Sequence, residues 1–161
     1  EIKRVLKENS NNIFDIKVQG KKLINGETYL IESKFRYLFS TIDKKINNGK
    51  IENLLTTIRS DQNKIDINFQ IPEKVLTGTE YDIDIILNEP LGDVIIAGGI
   101  KSHQEESFLA QEINIQPLAS GGIFKVTRAP TEPGKAIWSG IIVHPEGMIS
   151  FTKSVEIVDQ I

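Results

Sequence analysis

From residue 65 onward, apolar and polar side chains alternate in short runs, and a turn signal separates each run from the next. Ile65, Ile67, Phe69 and Ile71 alternate up to Pro72, and Tyr81, Ile83, Ile85 and Leu87 alternate against Asp82 and Asp84. Thr77-Gly78 lies between these two runs, and "NEPLGD" follows the second. "VIIAGGI", "QEINIQP", "GGIFKVTR", "KAIWSGIIVH" and "MISFTKSVEIV" then complete a set of seven. A period of two turns alternate side chains to opposite faces, so each run reads as a strand with one face in a core and one toward water. Seven short strands with turns between them predict a β-sandwich. The glycine pair of "VIIAGGI" marks a buried strand against which something packs closely.

The first sixty residues carry mixed signals. In "EIKRVLKENS", Ile2, Val5 and Leu6 share one face at helical spacing, which predicts a short helix over residues 1–10 that must dock on the remainder of the chain. Phe14, Ile16 and Val18 alternate as in a half-buried strand. Asn25-Gly26 suits a type I′ hairpin turn. After it, Tyr29, Ile31, Ser33, Phe35, Tyr37 and Phe39 share one face of a strand, with Glu32, Lys34 and Arg36 on the other. Ile31, Phe35, Leu38, Phe39, Ile42 and Ile46 also fit a helical stripe, so residues 28–58 stay open between strand and helix. "INNGK" at 46–50 reads as a turn. The polar "SDQNK" at 60–64 divides the chain into a small α+β or β-meander unit over 1–63 and a β-sandwich over 64–161.

Two stretches of the second unit carry a resemblance: "IPEKVLTGTEYDIDIIL" and "APTEPGKAIWSGIIVHPEGMISFTKSVEIV". Pro133-Gly134 there suits positions i+1 and i+2 of a type II turn before the penultimate strand. Residues 64–161 resemble a bacterial immunoglobulin-like or fibronectin-type-III-like module. The fold class expected is therefore mainly β, with an immunoglobulin-like antiparallel sandwich preceded by a helix plus β-meander. The departures are the absence of a core cysteine pair and of a tyrosine near Ala136 for a tyrosine corner. Tyr81, Ile83, Ile85, Phe124, Val126 and Trp138 are the expected core. The resemblance implies a module that acts by surface contact in a bacterial envelope or secreted protein, and hence an extracytoplasmic setting.

Chemistry is sparse. With no cysteine, thiolate nucleophiles and cysteine metal sites are excluded. His103 and His144 are the only histidines, too few for a multi-histidine zinc site. No GxSxG, P-loop or HExxH motif occurs. Asp82 and Asp84, with Glu80 nearby, form an acidic strand face, but calcium takes its oxygens mostly from loops and no DxDxDG loop is present. The expectation is a non-enzyme without catalytic, cofactor-binding or metal-binding residues. A net charge of −3, with arginine only at 4, 36, 59 and 128, speaks against nucleic acid. No apolar run is long enough for a transmembrane helix.

What remains is surface. Ile137, Ser139, Ile141 and Val143 form a second apolar face on the Trp138 strand, which makes Ile137, Ile141 and Val143 candidate contacts for a protein partner, a second copy or the N-terminal unit. The alternative is a carrier of small apolar ligands. A cystatin-like or nuclear-transport-factor-like N-terminal unit, with helix 1–10 across its sheet, would then enclose a pocket lined by Tyr29, Phe35, Tyr37 and Phe39.

Overall fold

The computed structural model describes residues 2–6, 12–61, 65–88, 94–104, 112–118 and 121–160. Every regular element among them is a strand: β1 (Ile2–Leu6), β2 (Asn12–Ile24), β3 (Glu27–Ile42), β4 (Lys45–Ser60), β5 (Ile67–Gln70), β6 (Lys74–Leu76), β7 (Glu80–Leu87), β8 (Ala97–Gln104), β9 (Gln116–Pro117), β10 (Gly122–Arg128), β11 (Gly134–His144) and β12 (Gly147–Val158). They form a large sheet in the order β1-β2-β3-β4-β12-β11-β8-β9, with β6 also on β12, and a small sheet in the order β10-β7-β5.

The expected helix at the N-terminus is overturned. Residues 2–6 pair antiparallel with β2, Ile2 opposite Ile16 and Leu6 opposite Asn12. So short a segment cannot sustain a helix by itself, and the ladder offered by the edge of β2 satisfies its backbone instead. The N-terminal unit is thus a strand meander without a helix among the described residues. Residues 28–58 are strand on either side of a turn. Hairpin β2–β3 turns at Asn25-Gly26, with φ of 51° and 84°. Hairpin β3–β4 turns at Asp43-Lys44, with φ of 51° and 63°, and not at 46–50, which lies inside β4. Gly49 has another purpose there. Its missing Cβ leaves room for the Tyr37 ring, which lies against the glycine backbone.

The two sheets enclose one core, built from Ile83 and Ile85 of β7, Trp138 and Ile142 of β11, and Ile149, Phe151, Val155 and Ile157 of β12, with Ile65, Ile71, Ile96 and Ile123 around them. Trp138 is 2% exposed, and its Nε1 donates to the Tyr81 hydroxyl at 3.1 Å. Phe124 and Val126 do not join this core. They stand opposite Asp84 and Asp82 on the outer face of the small sheet, 52% and 68% exposed. The inward residues of β10 are Ile123, opposite Ile85, and Lys125, opposite Ile83. The Lys125 ammonium lies over the Trp138 ring, 6.0 Å from its centroid and at the outer limit of a cation–π contact, while the lysine stays exposed. Both faces of "GIFKVTR" carry apolar side chains, so alternation alone could not choose the parity. In β8 the close approach expected at the glycine pair is present. A Cβ on Gly98 would lie 2.7 Å from the Ile141 carbonyl oxygen, and one on Gly99 would strike the Asn114 carbonyl.

The N-terminal strands join the sandwich edge to edge and do not stack on it. Leu55–Arg59 of β4 pair with Ile149–Lys153 of β12, and beyond that point β12 turns to β6 through Glu156–Val158. At the divergence β4 bulges, and Asn53 adopts a φ of 50°. The Asn53 side chain donates to Glu73 at 2.6 Å and accepts from the Lys153 ammonium. Burial pushes Lys153 below its ordinary pKa, with the nearby Glu73 charge opposing that shift. Leu54 N–H donates to Ser154 Oγ at 3.0 Å, and Lys50 bridges Glu52 and Glu156 at 3.2 and 2.9 Å. These polar contacts hold the meander to the sandwich where the shared ladder ends.

Candidate functional site

Two features of this architecture face outward, and both arise from the extra width of the large sheet. Its strands β2, β3 and β4 extend past the three-stranded small sheet, so neither of their faces is covered by a second layer among the described residues. The burial agrees: Ile13 is the one fully buried hydrophobic side chain of β2–β4.

The first feature is the outer face of the large sheet. Paired residues on adjacent strands present their side chains to the same face, so the register defines rows across it. One row runs Gly20, Ile31, Ile58, Ser150, Ile141, Gly99 from β2 to β8. The next runs Val18, Ser33, Thr56, Thr152, Ser139, Lys101. Hydroxyls meet along it, Ser33 with Thr56 at 2.8 Å and Ser139 with Thr152 at 3.2 Å. Ile16 and Phe35 continue the face at one end, beside the stacked rings of Phe14, Tyr37 and Phe39, whose centroids are 5.4 Å (Phe14–Phe39) and 5.6 Å (Tyr37–Phe39) apart. Tyr29 and Val143 stand in the row at the other end, with Ser60 and Met148 between them. Charges stand around this field, at Lys22 and Lys101, at Glu27, which accepts from the Tyr29 hydroxyl at 2.9 Å, and at the Lys135–Glu156 pair beyond Ile137.

The two candidate sets drawn from the sequence therefore lie on one continuous face. Tyr29, Phe35, Tyr37 and Phe39 do not line an enclosed cavity; they sit half-buried on an open sheet, because the helix that would have roofed them is strand β1. Ile137 and Ile141 are half-buried and Val143 is 39% exposed. The segment 112–115 crosses the far edge of this face, with Ile113 against Gly99, and the N-terminal strands continue the face sideways.

The second feature is a cleft of about 590 Å³ on the opposite side, where β2–β4 overhang the edge strand β5. Its floor is apolar, from Leu30, Leu55, Ile149, Ile67 and Phe69, and its rim carries Gln19, Lys21, Glu32, Lys34, Arg59 and Asp66. Lys34 at 2.7 Å and Lys17 at 2.9 Å bind the Glu32 carboxylate, and Gln19 donates to it at 2.8 Å. These hydrogen bonds, Lys34 first, hold the Glu32 carboxyl at about 2, well below the carboxylate range, against the opposing effect of burial. Asp66 accepts from the Asn88 amide at 2.8 Å. The rim anions are thus engaged, and Lys21 and Arg59 remain as its cations without a side-chain partner among the described residues.

The alternation of Lys17, Gln19 and Lys21 with Val18 and Gly20 already marks one polar face of β2. Nothing in the sequence ties that face to Ile67 and Phe69, because the cleft depends on where β4 docks. Other polar groups serve the fold. Glu80 pairs with Arg128 at 2.9 Å, Asp82 and Asp84 line the outer face of the small sheet, and His144 Nδ1 accepts from the Glu146 N–H at 3.1 Å. No group of three or more metal-binding side chains occurs among the described residues, nor does any helix there long and apolar enough to cross a membrane.

Residues 62–158 match the family model described as "Domain of unknown function (DUF8623)". The chain belongs to this family. The matched DUF8623 stretch spans the sandwich strands β5–β12 and stops short of β1–β4. The cleft is accordingly shared: β5 and Ile149 lie in the DUF8623 stretch, and the overhanging strands precede it. No curated protein matches the chain.

Proposed function

We propose that this chain is a non-enzymatic binding or structural module that works by surface contact, with the outer face of the large sheet as its contact surface. The observation that carries this reading is the union of Phe35, Ile31, Ile58, Ile137 and Ile141 on one face that runs from β2 to β8, with its charges at the margins. Six strands at about 4.8 Å spacing and about 20 Å of strand length cover about 500 Å². Hydroxyls fill one of its rows, so its apolar part lies within the range of patches found on monomers. The stacked aromatic rings extend it toward the roughly 800 Å² per partner of a standard protein interface. The sandwich itself we read as immunoglobulin-like. Sheet β10-β7-β5 facing β8-β11-β12, with β6 added parallel to β12, is compatible with that fold and supports the reading. Modules of this kind serve in bacterial envelope and secreted proteins, and an extracytoplasmic setting goes with the reading.

The test is substitution of Phe35→Glu and Ile141→Lys. Both side chains are half-buried on the outer face, so both variants fold with the wild-type circular dichroism spectrum. Wild-type protein associates, either with itself in analytical ultracentrifugation or with a protein retained on it from its source extract, and both variants lose that association. A wild-type chain that stays monomeric and retains nothing the variants do not also retain would overturn the reading.

A further inference from the structure

The cleft under β2–β4 has a property that does not depend on the outer face. It runs along an open strand edge. In an antiparallel pair, residues alternate between pointing their backbone groups at the partner strand and pointing them away. The Asn88 N–H donates to the Asp66 carbonyl at 3.0 Å, and Asp66 is followed by Ile67 opposite Leu87. Asp66, Asn68 and Gln70 therefore direct their backbone groups at β7, and Ile67 and Phe69 direct theirs outward, into the cleft. Strand β5 has no second partner strand among the described residues, so the N–H and C=O groups of Ile67 and Phe69 are unpaired there. The core also opens at this edge. Ile149, 5% exposed, belongs to it and lines the cleft, and Phe69 reaches in to meet Phe151 with ring centroids 5.0 Å apart.

We infer that this cleft is a strand-acceptor site. An extended peptide adds to the free edge of β5 as a fourth strand of the small sheet and slides beneath the overhanging β2–β4. Its backbone pairs with Ile67 and Phe69, and one of its two faces turns toward the large sheet: apolar side chains there continue the core over Leu30 and Leu55, and a carboxylate at the end of that same face meets Lys21 and Arg59, which stand in one row with Leu30. Backbone pairing gives such a site affinity, and the side-chain surroundings give it selectivity. The selectivity here is for acidic over basic strands: two lysines neutralise the Glu32 carboxylate at the rim, Asp66 keeps its charge and is held by the Asn88 amide, and Lys21 and Arg59, without a side-chain partner among the described residues, outnumber it.

The probe is the peptide acetyl-Glu-Thr-Val-Thr-Val-Thr-amide, whose glutamate shares one strand face with the valines, titrated into the full chain and followed by amide NMR shifts and hydrogen exchange. It is expected to shift the Ile67 and Phe69 amides and to slow their exchange. Three controls are each expected to bind at least tenfold more weakly: the same peptide with lysine for glutamate, the same peptide N-methylated at every residue, and the original peptide against a Lys21→Glu, Arg59→Glu double variant. Both replaced side chains are exposed, so the variant keeps its fold. Absence of any shift at Ile67 and Phe69 at millimolar peptide overturns the site. Equal binding of the N-methylated peptide overturns strand addition, and equal binding of the lysine peptide or to the double variant overturns the charge selectivity.

Discussion

Removing the Tyr81 hydroxyl is the sharpest test of how the sandwich core is held. The indole N–H of Trp138 can only donate, Trp138 is 2% exposed, and its hydrogen-bond partner is the Tyr81 oxygen at 3.1 Å. Tyr81→Phe keeps the ring and strands that donor. An unsatisfied buried polar group costs about 1–3 kcal/mol. In a chain of this size, 1 kcal/mol moves Tm by about 2–4 °C, so the variant should melt about 2–12 °C lower. Trp138→Ala empties the same site and should cost about 3–5 kcal/mol. In a Trp138→Phe background the donor is gone, and Tyr81→Phe should then cost about 1 kcal/mol less than it does in the wild type, within the range of coupling between touching residues. Urea unfolding followed by far-ultraviolet circular dichroism measures the wild type and the four variants on one scale. A Tyr81→Phe penalty that is the same in both backgrounds would refute the hydrogen bond as its source, and a Trp138→Ala loss below about 1 kcal/mol would refute the core position of the tryptophan.

Two further outcomes follow from the close contacts and ion pairs described above. Gly99→Val puts a side chain against the Asn114 carbonyl and the Ile113 side chain; forced overpacking of this kind should cost about 1–3 kcal/mol, and an unchanged urea midpoint would show that segment 112–115 does not lie on β8. Glu32, whose carboxyl is held at about 2 against an ordinary 4.5, binds fewer protons in the folded than in the unfolded chain between those values. Its contribution is therefore complete above pH 4.5 and disappears as pH falls toward 2. Glu32→Gln should flatten this part of the acid limb in a series of urea midpoints, and parallel curves for the two proteins would contradict the Lys34–Glu32–Lys17 contact.

Alternation along the chain was enough to place strands β5, β7, β10, β11 and β12, to point Ile83, Ile85 and Trp138 inward, and to close a hairpin at Asn25-Gly26, whereas "QEINIQP" is strand only at Gln116–Pro117 among the described residues. Each of these depends on local stereochemistry: the two-residue repeat of a strand and the positive φ of a turn. Where both faces of a segment are apolar, local rules lose their hold. Phe124 and Val126 faced outward because β10 pairs with β7 in a register that sets Lys125 over Trp138, a choice made between strands forty residues apart. Ile2, Val5 and Leu6 satisfied helical spacing as well as an edge strand, and the open edge of β2 decided between them. The outer face and the cleft were least visible of all. Ile31 and Ile141, or Arg59 and Phe69, become neighbours in function only because β4 docks on β12 and widens one sheet past the other, and that docking is a tertiary event with no local signature in either strand.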